Sequence, residues 1–363
     1  HSPTCAIPAV HRSKIPSLGQ ISPLLSSETT NRNTQTPRKH ARPYTSSSSR
    51  KEQHNMGSRV STAAQEVKGK DLTGQHIIVT GSSGGIGEET VKVLYYSGAT
   101  VIMASRNRAK MEEATKRILS AKNDSSSNNE GKSGEGSGSS SGGKKSCHHR
   151  SEESDLNDLK GEIHIMELDL GDLSSVSAFV REYESRFNRL HILINNAGQM
   201  STLLAKTKDG FESQIGINHL GHFALTLPLL PLMKRTCEQD NVQCRIVNVS
   251  SEGHKNSVID LDDLHFENRS YSPFGSYGQS KLANILFTKE LNRRLTEDGV
   301  NIKVNCLHPG VIKTDIARDS TVARIGYTLA SPFLKSIAQG AATTVFCAVS
   351  DQLKDQGGLY FAD

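Results

Sequence analysis

Apolar residues in this chain come in short blocks, each closed by glycine or a polar turn. Between the blocks, apolar positions return every third or fourth residue. The blocks at 75–80, 100–104, 162–168, 190–194, 245–249 and 301–307 are rich in Ile, Val and Leu, with little alternation. Unbroken apolar runs of that length predict strands covered on both faces. The intervening segments 88–97, 108–121, 172–187, 211–234, 277–294 and 339–349 predict helices, and 357–362 a last strand. Within 211–234, the apolar stretch 223–233 holds Pro228 and Pro231 and reads as a buried helix. Six strand–helix alternations predict an α/β fold, a doubly wound parallel sheet of the Rossmann type, as a single domain over 71–363. Ligands in such sheets bind beyond the carboxyl ends of the strands.

Two stretches lie outside this pattern. Residues 1–70 form a leader expected to be disordered; its first 55 residues hold eight Lys/Arg against two Asp/Glu and are rich in Ser, Thr and Pro. Such a segment cannot bury enough apolar surface to fold alone. It reads either as an organelle transit peptide or as an extension ahead of a start at Met56, where Met56-Gly57-Ser58-Arg59-Val60-Ser61 fits a loose acylation pattern. Residues 123–153, dominated by Ser, Gly, Asn and charges, read as a flexible insertion, because the strand–helix pattern resumes beyond them.

The whole chain carries a formal charge of +5, but residues 1–55 account for +6 of it, so the remainder stands at −1. A near-neutral body excludes nucleic acid as the expected partner. No run of about 18 apolar residues occurs, so no membrane-spanning segment is expected. Six cysteines follow no framework spacing, which fits a reducing compartment. Cys147-His148-His149 lacks a second ligand pair, so no metal is expected. The location expected is cytoplasmic, or an organelle where the leader is genuine.

The chemistry gathers at the strand ends. After the first strand comes Gly81-Ser82-Ser83-Gly84-Gly85-Ile86-Gly87, opening a helix. Glycines there let the backbone approach a pyrophosphate, and the helix N-terminus offers free N–H groups. The second strand ends at Ser105-Arg106 with no acidic residue, which suits the 2′-phosphate of NADP(H) rather than a bare ribose. Arg106 reads otherwise as a solvated helix-entry residue. Asp169, past the third strand, touches the adenine edge or caps the next helix. The fourth strand ends in Asn195-Asn196-Ala197-Gly198, where small residues allow close approach to the nicotinamide and the asparagines can pin neighbouring strands. Asn218 lies on a core-facing helix and either satisfies backbone groups or holds a water. Ser250-Ser251 and Pro309-Gly310 close the fifth and sixth strands. Finally, Tyr277 and Lys281 stand at i and i+4 on one helix face, where an ammonium favours the phenolate and suits the phenol to proton exchange near neutral pH.

Taken together, Thr80-Gly81-x-x-x-Gly85-Ile86-Gly87, Asn195-Asn196-Ala197-Gly198, Tyr277-x-x-x-Lys281 and Pro309-Gly310 make residues 75–363 resemble the short-chain dehydrogenase/reductase family. The segments 217–223, 277–284 and 307–311 look like its retinol dehydrogenase branch. The resemblance implies Tyr277 as acid/base, Lys281 as the group that lowers its pKa and binds the nicotinamide ribose, and Ser251 as the hydrogen-bond partner of the substrate oxygen. Ser250 replaces Ser251 if the strand register shifts by one. It further implies Asn218 as holder of a relay water and Thr314 as a neighbour of the nicotinamide amide. The implied activity is NADP-dependent interconversion of a lipophilic alcohol and its aldehyde or ketone. Homo-oligomers through the long helices are usual in the family. A regulator or scaffold that senses NADP occupancy is the alternative. The segment 311–335, with Ile312, Ile316, Ile325, Leu329 and Phe333, is expected to supply an apolar lid or else ordinary core packing.

Overall fold

The computed structural model describes residues 61–121, 159–312 and 335–362. Thr314, the 123–153 insertion and nearly all of the expected lid lie outside these residues. Seven parallel strands form one sheet in the order β3-β2-β1-β4-β5-β6-β7: β1 His76–Thr80, β2 Thr100–Ser105, β3 Glu162–Glu167, β4 Ile192–Asn195, β5 Cys244–Val249, β6 Ile302–His308 and β7 Tyr360–Ala362. The order reverses between β1 and β4. That switch point opens the crevice in which such sheets hold ligands. Expected and observed strands coincide to within about two residues, except that the last one begins at Tyr360 rather than at Gly357.

The strands alternate with helices α1 Ala63–Val67, α2 Gly85–Tyr96, α3 Arg108–Ser120, α4 Leu173–Arg186, α5 Gly221–Asp240, α6 Pro273–Glu297 and α7 Ile337–Val349. Two cores result. Ile77, Val79, Val101 and Met103 face α1, α2, α3 and α7. Ile78, Ile102, Leu193 and Ile246 face α4, α5 and α6. Each fully buried large aliphatic side chain contributes roughly 1.5–3 kcal/mol. Local chemistry fixes the helix starts: Asn107 caps α3 through Lys110 N–H, and Ser272 caps α6 ahead of Pro273. Ser336 and Gln339 form a capping box on α7.

Three expectations change. The leader drawn to residue 70 ends earlier, because Ala63, Ala64 and Val67 of α1 are buried in the first core. The helix expected over 211–234 is a turn Ser213–Ile215, a π-helical turn Gly216–Leu220, and α5. An inserted π-turn re-aims the side chains around it, here those about Asn218. The stretch 223–233 is buried on one side only, since Phe223 and Leu227 are exposed. Residues 213–240 are long and apolar enough to span a bilayer by composition, yet half of their most apolar window is buried within the fold. No second helix among the described residues meets that standard.

At the amino ends of β1 and β4, His191 Nδ1 accepts the His76 N–H (3.0 Å) while its Nε2 donates to Asp240 (3.0 Å). Burial lowers the pKa of both imidazoles; for His191 it outweighs the opposing pull of Asp240. These rings are neutral in the fold and take up protons on unfolding. Their stabilisation is therefore complete above about pH 6.5 and is lost as pH falls through the lowered folded values. Melting temperature should fall between pH 7.5 and 5, with a slope of roughly 1.4 kcal/mol per pH unit for each proton taken up. A flat profile over that window would exclude this coupling. The carboxylates of half-buried Asp172 and exposed Glu290, held low by Lys208 and by Arg293, act in a separate window at lower pH.

Candidate active site

The first wall is the glycine turn after β1. Gly81 has a φ of +65°, and a Cβ there would lie 2.8 Å from the Ala197 Cα. A Cβ on Gly87 would lie 2.3 Å from the Gly81 carbonyl oxygen. The turn is thus folded back on the start of α2 and pressed against the end of β4. Thr80 locks it: its Oγ1 accepts the N–H groups of Asn196 and Ala197 (both 2.9 Å), and its carbonyl accepts Asn196 Nδ2 (2.8 Å). Ile86 turns inward against the first core. Ser83 Oγ meets Ser105 Oγ at 3.3 Å, which ties the glycine turn to the end of β2. Arg106 next to it is exposed.

Asp169 Oδ1 accepts the Gly171 N–H (2.9 Å) just beyond β3. It does not cap α4; Asp172 does, accepting the Ser174 N–H at 2.9 Å. The Asn195 side chain acts as a strand pin. It is 1% exposed, and its amide donates to Thr226 Oγ1 (3.0 Å) and Asn248 Oδ1 (2.8 Å), so it pins β4 to β5 and α5 from inside the core. The alternation of side chains along a strand puts Asn195 inward when the following residues line the crevice.

The second wall is α6. Lys281 is 2% exposed; its Nζ donates to the Val249 carbonyl (3.1 Å) at the end of β5 and lies 5.6 Å from the Tyr277 ring centroid. Burial pushes the Lys281 ammonium down to about 8. A Cβ on Gly198 would sit 3.1 Å from Lys281 Nζ, so the bare backbone of Gly198 faces the ammonium directly. The two adjacent serines differ. Ser250 is buried and donates to the Lys281 carbonyl (2.8 Å), bracing α6 against β5. Ser251 is half-buried, and its Oγ accepts the Gly253 N–H (3.2 Å) in the 3₁₀ turn Glu252–Asn256. From an ideal Cβ on Gly253, Tyr277 Cδ1 is 3.4 Å and Ser251 Oγ 3.7 Å away. The Ser251 hydroxyl and the edge of the Tyr277 ring therefore flank one point.

Asn218 sits where the walls meet. Its Oδ1 accepts the Gln199 N–H (2.8 Å), and its Nδ2 donates to the Gln199 carbonyl (2.9 Å) and to Ser280 Oγ (3.0 Å). Its main-chain carbonyl accepts His222 Nδ1 and Asn284 Nδ2, each at 3.1 Å. Pro309 and Gly310 close β6, Gly310 with a φ of +86°. Ile312 pairs with Lys335 across the segment between them. The four free cysteines among the described residues, Cys237, Cys244, Cys306 and Cys347, are buried, and no cluster of metal ligands occurs among those residues. Thr80, Ser280, Gln199 and His222 are parts of this assembly that the sequence reading missed. The signal for Thr80 was its place before Gly81; for His222 there was only a polar residue one turn after Asn218.

A glycine cradle at a helix start, a hydroxyl pair beside an exposed guanidinium, and a phenol–ammonium pair facing bare backbone can hold a dinucleotide and move a proton. Comparison with known proteins agrees. The short chain dehydrogenase family model matches residues 75–127 and 144–324. Retinol dehydrogenase 12 of Mus musculus is 36% identical over 292 residues, covering 80% of this chain and 78% of its own. The chloroplastic short-chain dehydrogenase TIC 32 A of Brassica napus is 36% identical over 307 residues, covering 84% of each chain. Among solved structures, an uncharacterised protein from Mycobacterium paratuberculosis superposes with a TM-score of 0.58 at 34% identity, over 83% of this chain and 84% of that one. Motif order, sheet order and these likenesses agree that this chain belongs to the short-chain dehydrogenase/reductase family, on its retinol dehydrogenase-like side.

Proposed function

We propose that the protein is an NADP-dependent oxidoreductase that interconverts a lipophilic alcohol and its aldehyde or ketone. The observation that carries the reading is the convergence of Tyr277, Lys281, Ser251 and the bare Gly198 backbone at the carboxyl ends of β4 and β5. When bound, the nicotinamide coenzyme supplies or accepts the hydride. Tyr277 gives its phenolic proton to the substrate oxygen, and Lys281 stabilises the resulting phenolate by its charge. The Ser251 hydroxyl donates a hydrogen bond to the same substrate oxygen as negative charge builds on it. Gly81, Ser83, Gly85 and Gly87 would hold the pyrophosphate, and Ala197, Gly198, Pro309 and Gly310 would border the nicotinamide. Asp169 borders the adenine.

NADP is favoured over NAD by Ser105 and the exposed Arg106, since guanidinium matches phosphate oxygens and no carboxylate stands at the end of β2. A lipophilic substrate is supported by Leu203, Leu204, Val258 and Leu261, exposed on the loops after β4 and β5, and by Phe274, exposed at the start of α6. Exposed Phe223, Leu227 and Leu286 on the long helices α5 and α6 support pairing of copies. A chloroplastic relative and the basic leader support an organelle as the location.

A panel of hydrophobic aldehydes and ketones assayed with NADPH and NADH side by side tests the proposal. Turnover should appear with NADPH. Arg106→Ala should raise the KM for NADPH roughly 10- to 100-fold, the loss of a charge-assisted contact, and leave the KM for NADH nearly unchanged. Equal effects on both coenzymes would remove the 2′-phosphate assignment.

A further inference from the structure

We infer that His222 is a positioning residue, tying the coenzyme turn after β1 to the helix that carries Tyr277 and Lys281. The inference rests on the function proposed above for that site, but the hydrogen bonds that carry it are independent of it. His222 is 2% exposed at the start of α5. One ring nitrogen, Nδ1, is 3.1 Å from the Asn218 carbonyl; the other, Nε2, is 2.9 Å from Thr80 Oγ1.

The direction of each hydrogen bond is determined. A carbonyl only accepts, so His222 Nδ1 carries the proton and donates to Asn218. In the neutral ring Nε2 is then an acceptor, and the Thr80 hydroxyl donates its one proton to it at 2.9 Å rather than to the Ile194 carbonyl at 3.4 Å. This suits Thr80, whose oxygen already accepts the N–H groups of Asn196 and Ala197. A protonated ring would need a third lone pair on Thr80. Burial agrees, holding the His222 pKa down to about 3, with Lys281 and His219 as the charged or titratable groups that face it.

The path continues past Asn218. Its Nδ2 donates to Ser280 Oγ (3.0 Å), and Ser280 Oγ donates to the Tyr277 carbonyl (2.7 Å). One hydrogen-bonded line thus runs from the glycine turn through His222, the π-turn and Ser280 to the second turn of α6. His222 and Asn284 both donate to the Asn218 carbonyl, so Asn218 braces the two walls.

Two measurements on the full chain test this. In protein labelled with ¹⁵N-histidine, without coenzyme, His222 should show the Nδ1–H tautomer and no titration between pH 5 and 8. Thr80→Val should shift its Nε2 resonance. An Nε2–H tautomer, or a midpoint near 6.5 as in a free imidazole, would overturn the inference. The second measurement is a double-mutant cycle. Thr80→Val and His222→Leu should each weaken NADPH binding about tenfold, and the double variant should be weakened by clearly less than the product of the two, because both remove one shared bond besides bonds of their own. Effects that multiply to about 100-fold would overturn the coupling. His222→Asn, whose amide can donate to Asn218 without reaching Thr80, should recover kcat while NADPH affinity stays low. A purely space-filling role predicts no such split. Should the parent protein neither bind NADPH nor turn over, the proposed function fails while the tautomer measurement still decides the bridge.

Discussion

Tyr277→Phe should lower kcat for carbonyl reduction by roughly 10²- to 10⁴-fold, the usual scale of a lost general acid. The substitution removes one oxygen and keeps the ring. The ring carbons Cδ1 and Cε1 that pack beside Gly253 remain, as does the Tyr277 carbonyl that accepts from Ser280. NADPH affinity and substrate KM should therefore change little, and melting temperature hardly at all. That pattern, kcat lost with binding intact, marks an interaction made in the transition state. Steady-state kinetics with a hydrophobic aldehyde, paired with an NADPH titration, checks it; full turnover in the variant would end the assignment of Tyr277. The parent should also lose rate above pH 8, because the buried Lys281 ammonium titrates at about 8 and its support of the phenolate goes with its charge.

Gly87→Ala is the second large effect. The added methyl would meet the Gly81 carbonyl oxygen at 2.3 Å and Asn196 Nδ2 at 2.9 Å. The first of these is main chain, held from behind by Thr80 and Ala197, so it cannot rotate away. Relief requires the glycine turn to lift off α2. Overpacking of this sort costs about 1–3 kcal/mol or more. The turn that lifts is the one assigned to the pyrophosphate. NADPH affinity should fall at least about tenfold, equivalent to about 1.4 kcal/mol, with a melting temperature several degrees lower. Isothermal titration with NADPH and a thermal melt together read both. An alanine variant that binds coenzyme as the parent does would show that this turn is not the pyrophosphate cradle.

The sheet was legible because its central strands are buried on both faces and so read as unbroken apolar runs. The last strand begins three residues later than its sequence suggests, because Gly357-Gly358-Leu359 forms the turn into it. Tyr277 and Lys281 were legible because helical spacing alone puts them on one face. Other parts of the site depend on which way a side chain points at the end of a strand, and that depends on neighbours distant in the chain. Ser250 and Ser251 are adjacent and chemically identical; packing against α6 commits the first to the Lys281 carbonyl and leaves the second beside Tyr277. Asn195 follows the same logic, its amide claimed by Thr226 and Asn248. The π-turn at Asn218 has no local periodicity to mark it, and α1 is too short for a pattern to register.

The crossover from α3 to β3 leaves the body at Ser120 and returns at Glu162, and both points lie at the amino ends of the strands. Gly161 N–H there bonds the Tyr95 carbonyl at the far end of α2, a full helix length from the glycine turn. Whatever sequence is spliced between them joins the body at the amino ends of the strands, on the side opposite the glycine turn. Lengthening a loop adds little entropic penalty. The same position would accept a grafted reporter domain or a surface tether, leaving the enzyme facing outward.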